Sequence, residues 1–130
     1  MNVIDFFKKL LFLLSLFTLA TADCRAANSN SLEKSINYLI SFVEKSDVKF
    51  VRNGDNHTGA EAAKLMRYKY EHNKSDIKTP EDFIRIAGTK SSTTGRAYYV
   101  LNKDGTEITS AEWLKKILEE YRKRLAVEVK

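Results

Sequence analysis

The sequence predicts an α+β domain that is mainly α, with about four helices, a small antiparallel hairpin and a short extra strand. Three observations predict it. Apolar residues recur at three- and four-residue spacing in four separate stretches. Most of these stretches open on a residue pattern that caps a helix. Asn-Gly and Asp-Gly pairs stand beside short runs of β-forming residues, where a turn needs positive φ.

Asn30 followed by Glu33 resembles a capping box opening a helix over 30–46. Leu32, Ile36, Leu39, Ile40 and Val43 share one face, while Glu33, Lys34, Asn37 and Glu44 lie opposite. The polar face mixes signs, so the apolar face fits a protein core better than a membrane surface. Residues 48–52 alternate apolar and basic and stop at Asn53-Gly54, which reads as a short strand entering a turn. Thr58 with Glu61 caps a helix over 59–72 whose stripe is Ala62, Leu65, Met66 and Tyr70. Thr79-Pro80-Glu81-Asp82 starts a helix over 80–87. The hydroxyl caps, proline fixes the first turn, and both acids face the positive end of the macrodipole. Phe83, Ile84, Ile86 and Ala87 supply its buried side, and Gly88 stops it. Thr89 to Arg96 is entirely polar and reads as a loop. Residues 97–101 and 106–108 form the hairpin about Asp104-Gly105. Thr109 with Glu112 caps the last helix, 110–125, with Trp113, Leu114, Ile117, Leu118, Tyr121 and Leu125 inward and residues 127–130 fraying.

The chain has 130 residues, 43% of them hydrophobic, a length and composition suited to one globular domain, placed here at 28–126. Ahead of it, residues 1–22 read as a cleaved signal peptide. Lys8 and Lys9 precede an apolar run from Leu10 to Ala20, and Ala20-Thr21-Ala22 fits the cleavage pattern. Cleavage is expected after Ala22, or as late as Ala27. The run is about 11 residues, roughly 16 Å of helix, against a bilayer core of roughly 30 Å. No stable membrane span is therefore expected once the signal is removed, and the destination is the periplasm or the medium. Asp23 stands where a lipoprotein needs a small residue before its cysteine, so Cys24 is not expected to be acylated.

A single cysteine excludes a disulfide within the chain and any Cys/His zinc cluster. His57 and His72 lie 15 positions apart with no partner at helical spacing, so no metal site is expected. The five glycines are isolated at turns, in no phosphate-binding motif, and no cofactor is expected. Removing Lys8, Lys9 and Asp5 from 22 basic and 17 acidic residues leaves 20 and 16, a net +4. A basic exported protein points to an acidic envelope protein or glycan as partner and away from nucleic acid.

The residues show no catalytic set, and the candidates are binding residues on two polar loops flanked by aromatics. Arg52 and Asn53 lie on one; Ser91, Ser92, Gly95 and Arg96 lie on the other, next to Tyr98. Arginine forks and hydroxyls receive a carboxylate or a sugar. The competing expectation is that Arg52 folds back over residues 91–95 and satisfies carbonyls or a carboxylate inside the domain. The alternative function is a small envelope hydrolase or transferase, with Ser91 or Ser92 brought to His57 by the fold.

The order Phe50-x-Arg52-Asn53-Gly54, Ala62-Ala63, Lys69-Tyr70, Ile77-x-Thr79-x-Glu81-Asp82-Phe83-Ile84, Ser91-Ser92-x-x-Gly95-x-x-Tyr98 and Trp113-Leu114 covers nearly all of the chain after the signal. It is similar to the small exported bacterial proteins of domain-of-unknown-function family 5329. That family usually reads Ala-Ala-x-His-Leu-x-x-Lys in its second helix; here Leu65 and Met66 occupy the His-Leu pair, so any role of that histidine is absent. Many members carry a cysteine before the Arg-Asn-Gly turn, where this chain has Asp47 or a neighbour. The resemblance implies export and a one-domain architecture, and brings no activity with it.

Overall fold

The computed structural model describes residues 2–4 and 19–130. All but the last two positions of the apolar run 10–20 lie outside the described residues. The chain divides into two compact units, Met1–Glu33 and Lys34–Lys130. The first helix with described bounds is α1 (Leu19–Lys45). In chain order there follow strands β1 (Lys49–Arg52) and β2 (Asp55–His57), helix α2 (Gly59–His72), a 3-10 turn (Lys74–Asp76) and helix α3 (Pro80–Ala87). Strands β3 (Tyr99–Leu101) and β4 (Glu107–Thr109) and helix α4 (Ser110–Glu128) complete the fold. No helix among the described residues is long and apolar enough to cross a membrane.

The expected α+β, mainly α class is found, with three helix starts placed by their caps. Thr58 with Glu61, Thr79 with Asp82 and Thr109 with Glu112 each form a reciprocal capping box. In each, the hydroxyl accepts from the third helical amide and the acid accepts from the cap amide. The start expected at Asn30 is corrected: α1 is Leu19–Lys45, and Asn30 is an interior residue. Residues 19–29 contain leucine, alanine and arginine and neither glycine nor proline, so nothing there stops a helix. The end expected at 125 also moves out, since α4 continues to Glu128.

The sheet carries more than the expected hairpin. Its order is β2-β1-β3-β4, every pair antiparallel. Asn53 (φ 52) and Gly54 (φ 90) turn β1 directly into β2. Both central residues with positive φ make the tight turn whose twist matches the strands. β1 also pairs with β3, setting Phe50 opposite Val100 and joining two local hairpins into one sheet. The second hairpin is shifted from its expected bounds. Ala97 bridges to Lys90 and the Tyr98 amide donates to the Thr89 carbonyl, so regular pairing starts only at Tyr99.

In the second unit, Ile36, Leu39, Ile40 and Val43 of α1 are buried, as are Phe50, Val100, Phe83, Ile84, Leu114 and Leu118. Trp113 packs edge-on against both Phe42 and Phe50, with centroids 5.8 and 5.4 Å away. Such ring pairs add about 0.5–1.5 kcal/mol beyond the area they bury. The α2 stripe runs through Ala63, Met66 and Lys69, with the expected Ala62, Leu65 and Tyr70 only half-buried.

Gly59 fixes how α2 starts. A Cβ there would lie 2.3 Å from the Val43 carbonyl oxygen and 3.0 Å from that of Ser46, both backbone atoms at the end of α1. Gly59→Ala is expected to cost about 2–3 kcal/mol, the usual size of overpacking. Gly54→Ala, at positive φ in open space, should cost only the left-handed strain of about 1–2 kcal/mol. Urea unfolding of the two variants checks the order; equal costs would contradict a steric role for Gly59.

Candidate functional site

The fold brings the two candidate loops together. The Thr94 hydroxyl donates to Asn53 Oδ1 at 2.7 Å, across 41 residues of chain. The 91–96 loop closes on itself through Gly95 N–H to the Ser91 carbonyl and Ser91 N–H to the Arg96 carbonyl, each 2.9 Å. Gly95 at φ 71 permits that closure. Ser91 is buried, and its hydroxyl accepts from the Thr94 amide at 3.3 Å. Ser92 and Arg96 are exposed on the outer side of the same loop.

Arg52 is placed differently from the expectation that it folds into the loop. Among the described residues its guanidinium has no hydrogen-bond or ion-pair partner, and the tie between loops is made by Asn53. The reason is register. Phe50 and Arg52 lie two apart in β1, so they share a face, and Arg52 follows Phe50 onto the side covered by α2. There it is half-buried beside a pocket of about 40 Å³. Arg52, His57 and Glu61 form the rim; Met66, Ala87, Tyr98 and Ser110, all buried, lie deeper.

One charged group at this pocket has a structural duty. Glu61 closes the α2 cap, its Oε2 accepting from the Thr58 amide at 2.7 Å and from the hydroxyl at 3.1 Å. The backbone bond first, then the hydroxyl, holds its carboxyl below the usual range. His57 Nδ1 lies 3.9 Å from the same oxygen. No hydrogen bond joins His57 to Ser91 or Ser92 among the described residues.

Lys69, named in the sequence only as part of the family pattern, is buried by the fold. It is 6% exposed, and its ammonium donates to the Lys90 carbonyl at 2.8 Å and the Tyr98 hydroxyl at 3.1 Å. It clamps the loop after α3 to α2. Tyr98 then accepts the Ser110 amide on its own carbonyl at 2.9 Å, which places the start of α4. Ser110 was missed, because a lone serine behind a cap threonine gives no sequence signal. Its hydroxyl is buried and has no hydrogen-bond partner among the described residues. No group of three or more His, Cys, Asp or Glu residues able to hold a metal occurs among the described residues.

A family of unknown function (DUF5329) matches residues 30–122. The uncharacterized protein YfeK of Salmonella typhimurium strain LT2 is 39% identical over 74 residues, 55% of this chain and 62% of YfeK. The chain therefore spans less than two thirds of that relative's length. No solved structure matches it.

The clamp predicts an energetic coupling. Lys69→Met orphans the Lys90 carbonyl and the Tyr98 hydroxyl, and should destabilise by about 1–3 kcal/mol. Tyr98→Phe removes one partner of the same ammonium, so the double variant should lose less than the sum, by about 0.5–1 kcal/mol. A double-mutant cycle read by urea unfolding checks this. Strict additivity would mean that the two side chains do not support one another.

Proposed function

The chain belongs to DUF5329, a family of unknown function, and from that premise we propose a non-enzymatic binding module exported to the bacterial cell envelope. Its partner is an acidic protein or glycan, met at the Arg52-Asn53 turn and the 91–96 loop. One observation carries the reading: a half-buried guanidinium at a pocket rim, with no anion paired to it among the described residues. Arginine keeps its charge at every relevant pH and presents a planar fork that meets two carboxylate oxygens at once. The net charge of +4 that remains once residues 1–22 are removed favours an acidic partner. Export is supported by the Lys8-Lys9 pair, the apolar run to Ala20 and the Ala20-Thr21-Ala22 site.

A hydrolase or transferase reading needs a serine hydroxyl bonded to a His57 nitrogen. Here the Ser91 hydroxyl is engaged by Thr94, and His57 lies beside Glu61. That geometry favours binding.

Arg52→Ala is expected to leave stability within about 0.5 kcal/mol, as an unpaired side chain should. The same change should abolish retention of the salt-eluted acidic partner from envelope extract, and Arg52→Lys should restore it only in part. A stability loss of about 2–4 kcal/mol would instead assign Arg52 a structural role. Export has its own check: mass spectrometry of the native protein should find a chain starting at Asp23, or next at Asn28. Intact Met1 in a membrane pellet would overturn export with cleavage.

A further inference from the structure

Arg52 guards a built cavity. Behind it, about 40 Å³ of space is walled by the apolar side chains of Leu65, Met66 and Ala87 and by Ser110. Ser110 is 1% exposed, and its hydroxyl has no hydrogen-bond partner among the described residues. A buried hydroxyl left unpaired is costly, so this position calls for a partner from outside the chain. The cavity exceeds the roughly 10–15 Å³ that one water needs and is far below the roughly 150 Å³ that admits benzene.

Three parts of the pocket then define one kind of guest. The guanidinium at the rim matches a carboxylate. The apolar wall matches one or two carbons. The deep hydroxyl matches a single polar atom carried on that stem. Glu61, the one acid among the lining residues, is held by Thr58 and leaves the cation available.

We propose that this pocket is a subsite for a short-chain carboxylate of lactate or alanine size, its acid on Arg52 and its stem reaching toward Ser110. The inference rests on the acidic-partner reading and sharpens it: the partner presents its acid at the end of a short aliphatic stem, not as an extended polyanion. A free small acid and the carboxyl end of a peptide share that chemistry.

The test is a titration of the purified chain, followed by NMR shifts of the Ser110 amide and the Met66 methyl. The probes are lactate, N-acetylalanine, propionamide and polyglutamate. Lactate or N-acetylalanine should bind saturably, and neutral propionamide at least about tenfold more weakly, since it lacks the charge that Arg52 meets. Binding by lactate alone assigns a free acid; binding by N-acetylalanine assigns a peptide end. Ser110→Ala, which removes an unpaired hydroxyl and so leaves folding secure, should weaken binding about fivefold, the loss of one hydrogen bond. Ala62→Leu, at a half-buried position of the pocket wall, should fill the entrance and abolish it.

Two results overturn the subsite while leaving the acidic-partner reading intact. One is small-acid binding lost in Arg52→Ala yet unchanged in Ser110→Ala and Ala62→Leu. The other is Arg52-dependent capture of polyglutamate with no binding of either small acid. If Arg52→Ala alters none of these, both readings fall together.

Discussion

A buried ammonium organises this molecule. Lys69 sits inside the second unit with only a carbonyl and a phenol as bonded partners, and no carboxylate pairs with it among the described residues. Burying a cation is costly unless hydrogen bonds compensate, so the 89–98 loop must keep the Lys90 carbonyl and the Tyr98 hydroxyl where Lys69 can reach them. The consequences run outward in order. Tyr98, once placed, accepts the Ser110 amide and so sets the first turn of α4. Tyr98 and Ser110 then become deep walls of the pocket whose rim is Arg52. Helix, loop, helix start and cavity form one chain of dependence.

The sheet is the second support. β1 is paired on both sides, so Phe50 and Arg52 project toward α2 from a strand that cannot rotate. Asn53 adds the tie to Thr94, which keeps the 91–96 loop beside the turn. The surface ion pairs contribute far less. Arg67 with Glu44 and Arg122 with Glu81 join side chains open to solvent, where water screens the attraction.

Much of the fold was legible because its signals are local. The Thr58, Thr79 and Thr109 caps and the Asn53-Gly54 and Asp104-Gly105 turns involve residues only a few positions apart, and each is where the sequence puts it. What failed needed distant information. β2 is Asp-Asn-His, a polar triplet with no alternation, and is a strand only because β1 offers it partners. Asn30 carries a cap pattern, but the residues before it are helix formers as well. The two loops were legible as polar and glycine-bearing; their meeting through Asn53 and Thr94 was not, since nothing near either residue names the other. The burial of Lys69 and Ser110 was not legible for the reverse reason, a charged and a polar residue standing at buried positions where composition leads one to expect apolar ones.

The central claim is that Arg52 is an open cation that takes a carboxylate, and three other arginines provide internal controls. Arg67, Arg85 and Arg122 are already paired with Glu44, Asp82 and Glu81. Nitrogen-15 spectra of the arginine Nε–H groups, recorded as sodium lactate is added, compare all four in one sample. The account predicts a saturable shift of the Arg52 signal while the three paired arginines stay in place. An Arg52 signal that stays fixed, or that moves only in step with the other three as ionic strength rises, would contradict it.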